Sequence, residues 1–545
     1  MGIYLNSIAP FFLYKSECSK PYYVDKTEIL KELIPLAEQG NSHICITRPR
    51  RFGKTVMANM IGAFFGKGTD AGELFDRLKI AEHKNYRTHL NQYNIVYIDF
   101  SVVDDECCCY KNYIDGIKEL LKSDIHMAYP DLAFRKNSTV REDFMRVFTE
   151  KKERFLFVFD EWDAVFHMPF VTENDKKSYL LFLKGLLKDK PYVAFTYMTG
   201  ILPIAKYSSG SELNMFIEYT MGAETKFGED FGFTEAEVDM LYERYLDNCK
   251  KEEKNACVTR EGLRIWYDGY YTKSGTKMYN PRSVVASLLN NNLGSYWTSA
   301  GPYDEIFYYI EHNVSGVRKD LALMISEEGV PAKIQEYAAT SMNLSTREEI
   351  LSAMVVYGFL SCYKGKVYIP NKELMDKFDE MLQKEPSLGY VYNLAKESEQ
   401  MLQATLYGDT DTMENILSFV HNTETPILSY NNEVELSAIV NLVYLSARDK
   451  YRIEREDKAG KGFVDFIFYP EERDDTCIIL ELKVDDTPEE AIRQIKEKQY
   501  ALRFKGKLGK TPKYTGKVLA VGISYDKETK EHKCKIEEII NRKEY

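Results

Sequence analysis

Arg48-Pro49-Arg50-Arg51-Phe52-Gly53-Lys54-Thr55 decides how the first part of this chain folds. Gly53-Lys54-Thr55 is the end of a Walker A motif, which offers backbone N–H groups and a lysine to phosphate oxygens and a hydroxyl to Mg²⁺. The glycine expected five residues before Gly53 is absent, and Arg48 stands there. A strict motif therefore fails, and the neighbours must decide.

Upstream, His43-Ile44-Cys45-Ile46-Thr47 is a short apolar strand. Downstream, Thr55 to Phe65 reads as a helix with Val56, Met60, Ile61 and Phe64 on one side. Free N–H groups and the helix dipole favour an anion at such a strand–loop–helix junction. Lys54 is expected to meet the β- and γ-phosphates of ATP, with Gly53 opening the turn and Thr55 holding Mg²⁺. Asn94 to Phe100, Phe155 to Phe159 and Val193 to Met198 are further apolar strands. Runs of this kind separated by helices suit a parallel sheet buried on both faces, in a doubly wound α/β domain.

Asp160-Glu161 follows the third strand as a Walker B pair would. Asp160 would reach the metal, and Glu161 would orient or deprotonate the attacking water. Asp163 stands ready to support them, and Thr199 to place a polar group near the γ-phosphate. Arg48, Arg50 and Arg51 have two readings. They are extra phosphate contacts, the preferred one, or Arg50 and Arg51 face a carboxylate and hold the loop's shape.

Tyr22-Tyr23-Val24-Asp25-Lys26-Thr27, the Arg48–Thr55 loop, Phe159-Asp160-Glu161, Tyr267-Asp268-Gly269-Tyr270 and Tyr279-Asn280-Pro281 together resemble the prokaryotic AAA-ATPase-like family. The resemblance spans roughly the first half of the chain. That family also writes its loop Arg-Pro-Arg-Arg-Phe-Gly-Lys, so Arg48 becomes a family trait. Trp162 departs from the usual tyrosine. The resemblance implies a P-loop ATPase; it implies hydrolysis less firmly, and the class can act as a ring without anything here demanding a homo-oligomer.

With 545 residues the chain exceeds what one core supports, so about three domains are expected. These are residues 1–230 (P-loop domain), 231–420 (a helical lid and middle) and 421–545 (a small α/β domain). In the middle, Glu348 to Tyr357 followed by Phe359 to Tyr363 and Lys366 to Ile369 fits a winged helix, a fold that binds DNA in some proteins and other proteins elsewhere. The formal net charge of −12 excludes non-specific nucleic-acid binding by the whole surface. No apolar run reaches the roughly 20 residues of a membrane helix. No secretory leader is read, Asn6 spoils a myristoylation signal, and the ten cysteines lack a Cys-x-x-Cys pair; a reduced, cytoplasmic protein with no membrane partner is expected.

In the last part, Glu435 to Ser446 reads as a helix, Gly462 to Tyr469, Cys477 to Val484 and Val518 to Ile523 as strands, and Thr487-Pro488 as a helix start. Alternation puts Glu481 and Lys483 on one strand face, and a hairpin brings Asp465 beside them. Two carboxylates suit Mg²⁺, and Lys483 can orient a water or offset charge on a phosphodiester. An acid plus Glu-x-Lys on adjacent strands resembles the PD-(D/E)XK nucleases. The resemblance implies a further glutamate from a preceding helix, Glu433 matching best with Glu435 as the alternative, and a polar helix position at Gln494. Lys496, Lys498, Arg503, Lys505, Lys507, Lys510, Lys513 and Lys517, with Tyr500, Phe504 and Tyr514 interleaved, read equally as a solvated face or as a strip for nucleic acid, with DNA preferred. The expectation is an ATP-binding protein, cofactors ATP and Mg²⁺, coupled to a nuclease-like domain in defence or mobile-element biology. The alternative is an ATP-driven switch or scaffold that binds nucleic acid or protein without cutting.

Overall fold

A computed structural model of the chain describes residues 2–204, 212–222, 225–297, 317–325, 329–334, 344, 346–384, 397–423, 433–459, 462–504 and 514–539. Five strands form the first sheet: β1 (Ser42–Thr47), β2 (Asn94–Asp99), β3 (Phe155–Asp160), β4 (Val193–Gly200) and β5 (Ile217–Tyr219). All pair in parallel, in the order β2-β3-β4-β1-β5. Strand alternation feeds two cores. Phe155, Phe157 and Phe159 point into one with the helices Tyr110–Ala128, Val140–Lys151 and Glu173–Leu187. Leu156 and Val158 point into the other with the helices Leu30–Gln39 and Lys54–Phe65. Apolar residues on both faces are therefore satisfied by helices on both sides. The sheet order seats β4 between the phosphate-loop strand and the Asp160 strand, which opens a crevice at their C-terminal ends.

Helices Glu235–Lys251, Arg260–Tyr267 and Pro281–Asn290 pack with Tyr22 and Val24 in a small separate core. A tight hairpin of β6 (Tyr270–Tyr271) and β7 (Lys277–Met278) follows Asp268-Gly269. Then β8 (Val330–Pro331), β9 (Ser361–Tyr363) and β10 (Lys366–Tyr368) form an antiparallel sheet in the order β8-β10-β9. The helix Val317–Ile325 precedes β8 and Arg347–Tyr357 precedes β9. Among the described residues this order of helix, β8, helix, β9 and β10 resembles a winged helix. The helix Arg347–Tyr357, however, buries its middle through Ile350, Leu351, Ser352, Ala353 and Met354 and leaves none of its residues fully exposed, so it offers little surface to a DNA groove.

The last sheet runs β11 (Tyr451–Ala459), β12 (Gly462–Pro470), β13 (Cys477–Val484), β14 (Val518–Tyr525) and β15 (His532–Glu538) in sequence order. Only β13–β14 is parallel, and the helix Pro488–Glu497 supplies its crossover. The sequence reading missed β5, β6, β7, β8, β11 and β15. β11 carries Arg452, Glu454, Arg455, Asp457 and Lys458, a charge density that hides a strand. One hydrophobic core runs without a break from Phe52 in the phosphate loop, through Tyr270 and the winged-helix residues, to Leu480, Val521 and Ile523 of the last sheet. Among the described residues no helix is long and apolar enough to cross a membrane.

Candidate functional site

Thr47 ends β1 and the chain turns through Arg48–Gly53 into the helix Lys54–Phe65. Gly53 caps that helix at φ +86°, a left-handed conformation that glycine adopts at no steric cost, and Arg51 shares it at φ +69°. Lys54 is 4% exposed and its Nζ donates to the carbonyls of Arg48 (3.2 Å) and Pro49 (3.1 Å). Burial pushes its pKa down, while Glu161, Asp163 and Asp160 pull it up. The lysine thus rests across the mouth of its own loop, where an incoming phosphate would replace two carbonyls.

Opposite it, Asp160 is fully buried, and burial raises its carboxyl to about 7 against the Thr55 hydroxyl, which favours the charged form. Its Oδ1 accepts the Glu161 N–H at 3.1 Å, and its Oδ2 is buried with no hydrogen-bond partner. An orphaned carboxylate oxygen beside a threonine hydroxyl fits a divalent cation held by Thr55 and Asp160. Glu161 occupies a left-handed turn at φ +49°; burial raises its pKa, and Lys54 opposes that. Asp99 sits in register with Asp160 on the neighbouring strand and adds a further carboxylate. Asp163 is buried, and its Oδ2 accepts the N–H groups of Ile201 (3.0 Å) and Leu202 (2.7 Å), pinning the segment after β4.

Arg50, Arg51, Gly53, Lys54, Thr55 and Glu161 all line one cavity of about 780 Å³. Tyr22, Tyr23, Val24 and Arg282 line it too, and sequence reasoning gave none of these a role. Asn280 accepts the Ser283 N–H as helix cap and Pro281 takes the first turn, which sets Arg282 at the cavity wall. The Tyr-Asn-Pro signature was the available signal.

Two expected phosphate contacts lie elsewhere. Arg48 is 1% exposed; its guanidinium donates to the carbonyls of Thr47 (2.7 Å), Tyr219 (2.9 Å) and Phe227 (2.6 Å) and sits 4.9 Å over the Phe231 ring. Asp230 is near enough that Lys26 and Arg48 offset the burial raising its pKa. Arg48 braces the loop from behind. Thr199 is likewise buried, and its hydroxyl donates to the Ile46 carbonyl at 2.9 Å, tying β4 to β1 and facing away from the cavity.

In the last sheet the predicted residues meet. The Leu482 N–H donates to Asp465 Oδ2 at 2.7 Å, locking β12 against β13 beside Glu481. Lys483 Nζ lies 3.5 Å from Glu481 Oε1, and Gln494 from the helix Pro488–Glu497 donates to the same oxygen. Glu481 is 3% exposed; burial and then Asp465 raise its pKa to about 7, and its Oε2 is buried without a hydrogen-bond partner. That free oxygen beside Asp465 again fits a divalent cation. No group of three or more acidic, histidine or cysteine ligands forms among the described residues. Glu433 opens the helix Glu433–Val443, its side chain lying outside the described residues; Glu435 is partly exposed on that helix.

The basic strip reads differently in three dimensions. Lys496 pairs with Glu537, and Lys517 with Glu538 at 3.2 Å. Tyr500, Phe504 and Tyr514 pack in a core with Tyr469 instead of offering faces to bases. The Arg503 side chain and Lys505, Lys507, Lys510 and Lys513 lie outside the described residues.

A parallel sheet with a phosphate loop and an acidic strand end, joined to a small mixed sheet with an Asp/Glu-x-Lys cluster, defines a P-loop ATPase-like domain followed by a nuclease-superfamily fold. Residues 16–209 match the family model described as a predicted AAA-ATPase, and residues 435–534 match that of the PD-(D/E)XK nuclease superfamily. A protein described as "Uncharacterized protein in vnfD 5'region" from Azotobacter chroococcum mcd 1 is 25% identical over 288 residues. The match covers 51% of each chain, so this chain spans about half the length of that curated relative. Among solved structures, the Walker-type ATPase of Pyrococcus abyssi aligns at 11% identity and TM-score 0.36, covering 65% of this chain and 95% of that one. The Aeropyrum pernix ORC2 protein aligns at 10% identity and TM-score 0.31, covering 65% and 94%.

Proposed function

We propose that this chain binds ATP in the cavity at the end of β1 and cleaves phosphodiester bonds of nucleic acid, DNA foremost, at the Asp465–Glu481–Lys483–Gln494 cluster. Lys54, Arg50 and Arg282 hold the phosphates, and Glu161 orients the hydrolytic water. Mg²⁺, when bound by Thr55 with Asp160 or by Asp465 with Glu481, supplies charge neutralisation and a more acidic water. Lys483 steadies charge on the phosphodiester, and Gln494 fixes the Glu481 carboxylate. The observation that carries the nuclease reading is the gathering around Glu481 of β13: Lys483 and Gln494 both reach its Oε1, and Asp465 of β12, bonded to the next N–H along at Leu482, lies close enough to raise its pKa.

The unbroken core from Phe52 to the last sheet supports coupling between the two activities. The test is cleavage of single- and double-stranded DNA and RNA with added divalent ions, with and without ATP. Lys483→Ala should abolish cutting and leave ATP binding intact; cutting that persists removes Lys483 from the chemistry. ATP turnover with no cutting under any condition favours the switch or scaffold, a reading that the presence of only two described carboxylates at this site keeps in play.

A further inference from the structure

Five lysines gather where the β6–β7 hairpin meets the wing. Lys273 and Lys277 lie on the hairpin, Lys333 follows β8, and Lys364 and Lys366 form the tip of the β9–β10 wing; all five are exposed. None of them makes an ion pair among the described residues. This contrasts with Lys496 and Lys517, whose carboxylate partners sit on β15.

The cluster has a built framework. Tyr271 and Tyr363 stack with centroids 4.8 Å apart and planes 8° from parallel, joining hairpin to wing. Lys277 lies 5.5 Å from the Tyr271 centroid and Lys364 5.1 Å from that of Tyr363. Two ammonium groups are thereby held at the two ends of an aromatic stack. The Tyr271 N–H donates to the Ser361 hydroxyl at 2.8 Å and fixes the same joint from the backbone. Beside it opens a cavity of about 920 Å³ whose wall includes Lys273, Lys333 and Lys364 together with Tyr271 and Tyr363. Its nearby carboxylates are engaged: Glu218 accepts the Ile204 N–H at 2.7 Å and Glu229 the Thr276 hydroxyl at 2.9 Å. The buried Asp268 is close enough to Lys277 to feel its charge.

We infer that this hairpin–wing groove is a binding surface for the phosphate backbone of a nucleic-acid strand, separate from the Asp465–Glu481 cluster. On a chain of net charge −12, ammonium groups left without carboxylates invite a polyanion, and loss of their counterions drives the binding. The helix Arg347–Tyr357, buried in its middle and nowhere fully exposed, is poorly placed to read bases, so contact is through backbone phosphates and without sequence preference. The winged helix works here with its wing, not its helix.

The test uses the full chain in EDTA, so that binding is measured without cutting, with a labelled DNA single strand and its duplex across a salt titration. Replacing Lys273, Lys333, Lys364 and Lys366 together by Ser should weaken binding at least about tenfold and lower the salt slope by roughly 0.7–0.9 for each lysine that meets a phosphate. An unchanged melting temperature and ATP affinity would show that the fold is intact, as expected for exposed positions. Lys496→Ser with Lys517→Ser should leave the affinity as it was. Unaltered affinity and slope in the fourfold variant overturn the inference. So does a wild-type chain that binds neither strand, or one that prefers poly-glutamate to DNA, which would mark the groove as a site for an acidic protein.

Discussion

Restoring the missing glycine should damage the protein. Arg48→Gly completes the textual Walker motif, yet in this fold it removes a buried guanidinium that satisfies three carbonyls, on Thr47, Tyr219 and Phe227. Charge-assisted hydrogen bonds are worth about 1.5–3 kcal/mol each before desolvation is counted. Simple addition overshoots, because the buried cation also cost energy to desolvate. Deleting one partner of a buried charge network typically costs about 3–5 kcal/mol; here the carbonyls lose their cation and Asp230 keeps only Lys26. Glycine adds roughly 0.5–1 kcal/mol of backbone entropy to that cost. For a domain of this size, each kcal/mol lowers the melting temperature by about 2–4 °C, so a drop of roughly 7–24 °C is expected. Arg48→Lys should recover little, because a compact ammonium on a flexible stem cannot reproduce the planar fork. Thermal unfolding and binding of a fluorescent ATP analogue are measured on the same samples. A variant that melts like the wild type but loses nucleotide affinity would refute the brace and make Arg48 a phosphate ligand.

Four further outcomes are expected. Glu161→Gln should keep ATP binding and slow turnover at least a hundredfold in a phosphate-release assay, whereas Thr199→Val should cost about 1 kcal/mol of stability in urea melts and leave turnover nearly unchanged. Arg282→Ala should weaken ATP more than it weakens adenosine, read by calorimetry, if its guanidinium meets phosphate. His43 is buried on β1, with its Nδ1 3.0 Å from the Thr196 hydroxyl, and burial lowers its pKa to about 4. As pH falls the unfolded chain protonates first, near 6.5, so His43 should cost the fold stability progressively between about pH 6.5 and 4, by up to roughly 3 kcal/mol; in urea melts His43→Gln should flatten that slope.

What could be read from sequence was what local spacing encodes. Asp160-Glu161 at a strand end and Glu481-Leu482-Lys483 within a strand carry their geometry in the period of two, and Gln494 lies within three turns of the helix start that Thr487-Pro488 announces. What failed depended on partners far along the chain. Arg48 binds carbonyls more than 170 residues away, and Thr199 binds one 153 residues away. Neither pairing leaves a mark near the residue itself. The aromatics of the basic strip misled for a related reason: Tyr500, Phe504 and Tyr514 fill the space under Tyr469, a demand made by a different strand. Arg282 escaped because its relevance comes from a helix folding back over the phosphate loop.

The same long-range contacts tie the motifs of the first half to one another in space. Phe52 leaves the phosphate loop as a buried plug, its ring 4.9 Å from Tyr270 and edge-on to it. Tyr270 donates from its hydroxyl to the Gly358 carbonyl at 3.2 Å, at the end of the buried winged-helix segment. Gly358 takes φ +87°, and a Cβ there would come within 2.7 Å of Pro49, so loop and helix end meet on both sides. Farther along, the Ile325 carbonyl accepts from Arg448 at 2.9 Å and from Asn441 at 3.4 Å, and Asn441 sits on the helix that begins at Glu433. Packed interiors shift between discrete arrangements rather than deforming smoothly. A loop that must rearrange when Lys54 leaves its two carbonyls for a phosphate therefore has a continuous, tightly packed route toward the helix Glu433–Val443, which packs against β13, the strand that carries Glu481. On this view the Phe52–Tyr270 contact links the loop to the hairpin, and the arginine at the glycine position lets the back of the loop be braced while its front moves.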